Sequence, residues 1–517
     1  MPIAPFSRMK TSKRHRQIMA LINQFAGRPA PLASTRWKNT FAQLYAISAI
    51  LLGIIHLTTG SMLILIFVFT VISLIGAGFL MKGNPRYSDF FIFLLSAYSG
   101  YAALLMKAIL AQPLQQNLMV PVQSAAYLFI GFCSITSCAI AADLIVGSRQ
   151  SPIGARIETP VFMRNALIPL FIMGFATRIL HVLFNPSIKD GADIGSGFGG
   201  FGTFEFILSL ACVILLRLYS LRRTSPYGAT IIIVMVAIAI LSVITNTKKN
   251  ILDFALLGVV SVYAFDIKVK PRVLTLFGLL MATVILFISP AIHLMRTGFR
   301  DMTVMERITG MYTLIEQHGF SPAALSVAEG AFMKNFTYSY NEYGSYIYPD
   351  AQNIDRFSLI LPIDQVARGL DSMGTMGVSP FFEEIGESVM PSVLIDKDPE
   401  TGPDLIAWKY SIRANTSIAR PVIGFTASSL AAQGLLGVIC LPWLLLLPFF
   451  VFSNYFFGNI KGRVFGVFVV AIAFQMVEKE IDQVIPFVFR TGPVIILTVL
   501  IFLRMFSRQI RIGKFAL

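Results

Sequence analysis

The stretch that opens Arg296-Thr-Gly-Phe-Arg300 and closes Ser417-Ile-Ala-Arg420 is the one long part of this chain that a bilayer would reject. It holds 16 of the chain's 27 carboxylates against 10 Lys and Arg, so it is acidic in a protein whose net charge is +15. Along it lie Asp355-Arg356, Asp364-Gln-Val-Ala-Arg368, Phe381-Phe-Glu-Glu-Ile-Gly-Glu387 and Asp396-Lys-Asp398. A hydrated acidic segment hung between apolar runs reads as the catalytic domain, with the remainder of the chain serving to hold it at a membrane surface.

Outward from it, the composition is that of a polytopic membrane protein. Hydrophobic residues make up 55%, charged residues 13%, and there are 44 Phe; the mean hydropathy is +0.71. A soluble domain carries about a quarter charged residues. Twelve apolar runs are long enough, or nearly so, to cross as helices a hydrocarbon core about 30 Å thick. The expected architecture is therefore all-α, with about 12 transmembrane helices and one large, mostly helical loop domain between spans 9 and 10. In numbers, 1–40 is a basic N-terminal segment, 41–294 carries spans 1–9, 295–420 is the loop domain, and 421–517 carries spans 10–12 with a basic tail.

The first 38 residues hold Arg8, Lys10, Lys13, Arg14, Arg16, Arg28, Arg36 and Lys38 and no acid. Basic stretches mark the cytoplasmic side, so this segment reads as an orienting signal and not as a nucleic-acid arm. Alternation then places both termini in the cytoplasm of a bacterium and the large loop in the periplasm. The segment Phe425 to Gly434, rich in small residues, is expected at the interface ahead of span ten. Glu478-Lys-Glu-Ile-Asp482 reads as an outer exit between spans eleven and twelve. Cys133, Cys138, Cys212 and Cys440 all sit in apolar runs, which leaves no disulfide framework or metal knuckle.

Charges kept where a membrane makes them costly are the functional pointers. Lys248 and Lys249 stand on the outer side against the charge rule. Arg178 and His181 lie a turn apart near the outer end of span five, Arg296 and Arg300 share a face beyond span nine, and Arg490 sits in span twelve. With Arg368, these cations suit an anionic lipid headgroup, since a diphosphate needs neutralisation and Arg offers a bidentate fork. Equally, Arg178 and Arg490 have the chemistry to bridge Glu478, Glu480 or Asp482 structurally. Asp364, Glu383, Glu384 and Glu387 are the candidate general bases, with His181 and His293 as alternatives. Gly195-Ser-Gly-Phe-Gly-Gly-Phe-Gly202 follows no strand and is no nucleotide loop. No zinc motif appears, and Asp396-Lys-Asp398, although spaced as a carboxylate pair, is not an Asp-x-Asp of the nucleotide-sugar kind, so neither a metal nor another cofactor is expected.

The order of residues through this region resembles the Wzy-type polymerases, which join O-antigen and other oligosaccharide repeat units in bacterial envelopes. The likeness rests on Thr245-Asn-Thr-Lys-Lys-Asn250, Asp355-Arg356-Phe-Ser-Leu-Ile-Leu361, Val389-Met-Pro-Ser-Val-Leu-Ile-Asp-Lys-Asp-Pro399 and the small-residue stretch Pro421 to Gly437. It covers roughly 230–460 and departs where Asp398 follows Lys397 and where lysines occupy positions at which Arg is common. The resemblance implies a GT-C-like helical fold, transfer without metal, and an undecaprenyl-diphosphate-linked oligosaccharide donor. It makes Arg356 a candidate at the site, beside Arg296 and Arg300. It also implies membrane lipids, a flippase and a chain-length regulator as partners. An O-antigen ligase or another GT-C transferase shares the same features, and a flippase is the rival from a different class.

Overall fold

The computed structural model describes residues 33–184, 203–222, 225–244, 249–269, 275, 278–279, 282–295, 304–336, 345–347, 357–390, 401–412 and 422–507. Among them there is no strand, only the isolated bridge between Arg86 and Asn459. Helices follow in the order α1 (Ala33–Thr58), α2 (Leu63–Met81), α3 (Tyr87–Ile109), α4 (Pro121–Val146), the short α5 (Pro152–Ile157), α6 (Pro160–Phe184), α7 (Phe206–Arg222), α8 (Ser225–Ile244) and α9 (Lys249–Ala264). Next come the π turn Val284–Ile288 leading into α10 (Ser289–Leu294), then α11 (Val304–Gln317), α12 (Pro322–Phe336), α13 (Ile360–Met373), α14 (Ser379–Val389) and α15 (Gly402–Lys409). The chain ends with α16 (Phe425–Phe457), α17 (Val464–Val477) and α18 (Ile481–Phe506).

Seven of these helices are long and apolar enough to cross a membrane, and α7, α8, α9 and α17 are shorter apolar helices. The molecule is thus a polytopic helical membrane protein. Proline opens α4, α5, α6 and α12, where its missing N–H costs nothing. Small residues set the close crossings. A Cβ on Gly174 of α6 would lie 2.7 Å from the Leu208 backbone of α7, and one on Gly131 of α4 would lie 2.5 Å from Thr426 Cγ2 of α16. With lipid as apolar as leucine, such close backbone approach supplies the packing energy that water would otherwise provide.

The connections gather at two ends. At the first, Ile460 N donates to Pro85 O at 2.9 Å, Ser151 N to Tyr455 O at 2.9 Å and Gly462 N to Ala264 O at 2.9 Å. Asp143 clasps this end, accepting from Lys82 at 2.9 Å, Asn454 at 3.0 Å and Arg86 at 3.4 Å, while Lys82 also pairs with Asp89. At the other end, Leu114 N donates to Ser61 Oγ at 2.9 Å and Asn117 Nδ2 to Ser345 O at 3.1 Å. There Lys107 is fully buried, bonded to Gln112 and Gln116 O at 3.1 Å and lying 4.4 Å from the Tyr346 ring. Between the two ends stands an aromatic stack in which Tyr87 meets Phe449 at 5.5 Å, Phe91 meets Phe450 at 5.1 Å and Phe449 meets Phe487 at 5.3 Å.

The bundle departs from the linear reading in three places. First, the long acidic segment is not hydrated throughout: Ile360, Leu361, Ile363, Val366 and Ala367 of α13 are buried against α4 and α16. Second, the run 425–434, expected at the interface, is buried. Its helix breaks at Gln433 (φ −142°) and Gly434 (φ +59°), and Gly437 then packs directly on the Ser429 carbonyl, so the chain doubles back as a helical hairpin. Third, the connection from α17 to α18 is not solvated at its acids: Glu480 and Asp482 are 3% and 0% exposed.

Candidate functional site

Three helices begin inside the bundle, close to Tyr98. This residue stands at the centre of α3, where a π turn at Ala97–Tyr101 interrupts the helix. Leu359 N, just ahead of α13, donates to Tyr98 O at 3.3 Å, and the Phe357 ring meets the Tyr98 ring edge-on at 5.1 Å. Gly424, just ahead of α16, has φ +79° and lies so near Leu359 that a Cβ there would approach Leu359 Cδ2 to 3.1 Å. Ahead of α18, Glu480 Oε1 accepts from Ile423 N at 3.1 Å, and Ile481 N donates to Ser428 Oγ at 3.2 Å. The starts of α13, α16 and α18 therefore meet beside the middle of α3, lined by Leu95, Ile135, Ile363 and Val477. The first turn of a helix presents unpaired N–H groups and partial positive charge, which favours an anion there.

The anions present are the protein's own. Glu478 Oε1 accepts from Tyr98 OH at 3.0 Å. Glu480 is buried as well, with Lys479 and Asp482 as its charged neighbours along the chain. The Asp482 side chain is fully buried, and among the described residues only its own backbone N–H and the adjacent Gln483 side chain come near its carboxyl, neither in good hydrogen-bond geometry. A buried carboxylate left in that state is costly and calls for an explanation. Asp482 is pressed against the start of α15: a Cβ on Gly402 would lie 3.3 Å from its Cγ. Gly402 N donates to Glu384 Oε2 at 2.6 Å, and Thr401 Oγ1 donates to Asp404 at 2.7 Å. One turn further along α14, Ser388 O accepts from Arg490 Nη1 at 3.1 Å, so α14 lies across the beginning of α18 as a cover. A carboxyl so placed has the chemistry of a proton acceptor.

The residues singled out in the sequence have diverse placements. Asp364 is buried and accepts from Met119 N at 2.7 Å, Val120 N at 2.9 Å and Ser124 Oγ at 2.8 Å. It caps α4 from a neighbouring helix, and that work engages both oxygens. Glu383 is exposed and bonded to Ser379 at 2.9 Å, Glu387 is half-buried on α14, and Glu384 bonds Gly402. Arg178 is buried and pairs with Glu205 at 3.2 Å, with His181 a turn away, its Nδ1 buried and lacking a hydrogen bond. Arg368 is exposed near the Met119 sulfur. Arg296, Arg300, Arg356 and Lys248 lie outside the described residues; Lys249 starts α9, and its side chain and that of His293 are outside them too.

The central pair, Glu480 and Asp482, is absent from the sequence-based set of bases. A signal for it exists: the run Val464–Val477 is 14 residues long, about 21 Å of helix, too short for a core of about 30 Å. Its acidic end therefore has to stop within the bundle. Among the described residues, no cluster of three metal-ligating side chains is formed. Comparison with family models, with curated proteins and with solved structures gave no match.

Proposed function

We propose that this protein is a membrane glycosyltransferase that joins undecaprenyl-diphosphate-linked oligosaccharide units into a surface polysaccharide at the periplasmic face of the bacterial cytoplasmic membrane. In this reading the chain spans the membrane twelve times, with both termini cytoplasmic and 295–420 outside. The observation that carries it is the buried Glu480–Asp482 pair, set where three helices begin beside the middle of α3 and covered by α14 of the acidic segment. An ionisable group kept at such depth has a function by default.

Asp482 serves as the base. It takes the proton of the acceptor hydroxyl as that oxygen attacks the anomeric carbon, and the bond from that carbon to the diphosphate oxygen breaks. The electron pair leaves with undecaprenyl diphosphate, whose growing charge is met by Arg490 and by Arg296, Arg300 and Arg356; each such donor is worth a few kcal/mol in a dry site. The step needs no metal. A flippase supplying the donor and a regulator of chain length fit as partners.

A second reading has its own support. Helices that start inside the bundle, as α13 and α16 do, are also the building elements of carriers. A deletion strain separates the two. A polymerase leaves single lipid-linked units on the outer face and no long polymer, whereas a carrier leaves those units on the inner face. In proteoliposomes supplied with purified lipid-linked units, the wild-type protein is expected to build polymer and Asp482→Asn to lose at least about 100-fold in rate. Unchanged synthesis by Asp482→Asn at normal abundance would remove Asp482 from this role.

A further inference from the structure

We infer that the α11–α12 hairpin of the acidic segment lies in the lipid–water interface, with Met305, Ile308, Tyr312 and Phe320 in contact with the acyl chains. At about 100° per residue, α11 divides into three sectors. Met311, Leu314 and Ile315 share one and pack on Ala291, Ile292 and Met295 at the end of α10. Glu306, Thr309, Thr313, Glu316 and Gln317 share another and are exposed, as suits water. Between them, contiguous with the packed sector, come Met305 at 69% exposure, Ile308 at 39% and Tyr312 at 58%. Phe320, 52% exposed at the tip beside Gly319, extends this stripe and meets the Tyr312 ring at 6.0 Å.

A helix standing free in water has no reason to keep an apolar stripe between its packed and its polar faces, whereas one lying in a membrane surface needs that order of faces. The occupant follows from what the hairpin leans on. α11 packs against α8, an apolar helix that itself exposes Ile232, Ile233, Val236 and Ile240. α12 runs beside Val284–Leu294, the apolar stretch just before the acidic segment. The stripe thus continues a surface already facing lipid, and Tyr312 and Phe320 have the amphipathic or aromatic character that favours headgroup depth. This placement does not depend on which group the protein transfers.

The test is the depth of single nitroxide labels in nanodiscs. The full chain, with exposed Cys133 and Cys440 replaced by alanine, carries Met305→Cys, Tyr312→Cys, Glu306→Cys or Thr313→Cys. All four positions are exposed, and unaltered elution on size exclusion verifies the fold of each. The ratio of oxygen to nickel-chelate accessibility is expected to be at least about threefold higher at 305 and 312 than at 306 and 313. Equal, water-like ratios at all four sites would overturn the inference. So would protection from both reagents at 305 and 312, which would mean that protein, such as a second copy of the chain, covers the stripe.

Discussion

Two buried aspartates show how position decides the work of one functional group. Asp364 meets three donors and fastens α4 to α13; Asp482 has only its own N–H and the Gln483 side chain nearby, in poor geometry. Asp364→Ala is therefore expected to destabilise the protein by about 3 kcal/mol, the scale of charge-assisted bonds lost together, and to lower its yield and melting temperature in detergent. Activity per folded molecule should stay within about twofold, since the cap touches no reacting group.

At the scale of elements, hydropathy placed apolar helices on both sides of the acidic segment, as α1–α4, α6–α9 and α16–α18 show. What it missed follows from packing. An apolar count treats 425–456 as an interfacial piece and a span, yet the hairpin turn needs Gly434 at positive φ and Gly437 with no side chain against Ser429 O. Likewise α13 looks like loop because Asp364, Arg368 and Asp371 interrupt it, although its other face reads Ile360, Ile363, Val366 and Ala367 and is buried. The burial of Glu480 and Asp482 is not legible from charge alone, and only the shortness of the preceding apolar run points to it. Gly437→Ala is expected to force the two arms of α16 apart and cut thermal stability by at least about 2 kcal/mol. Gly78→Ala, where an added Cβ meets nothing within 4 Å, should be neutral or slightly stabilising. Equal losses at both positions, read as melting temperature or as monodisperse yield, would mean that the hairpin contact is not what limits α16.

For the whole molecule, the clustering of connections at two ends supports an alternating path of the chain, and orientation is then a single binary choice. The basic first segment favours the clasped end, with Lys82, Arg86 and Arg463, on the cytoplasmic side. A reporter active only in the periplasm should work when fused near Asp350 and fail near Lys270; the reverse pattern would invert the topology and move the site to the other face. The clasp at Asp143 and the aromatic stack above it then acquire a meaning beyond packing. The rings of Phe91, Phe449, Phe450 and Phe487 stand as an apolar layer between Glu480 and the charged clasp, with no Asp, Glu, Lys or Arg among the residues of the stack. On the function proposed above, turnover in proteoliposomes is therefore expected to be unaffected by an imposed membrane potential, and a dependence on that potential would mean that protons cross the apolar layer.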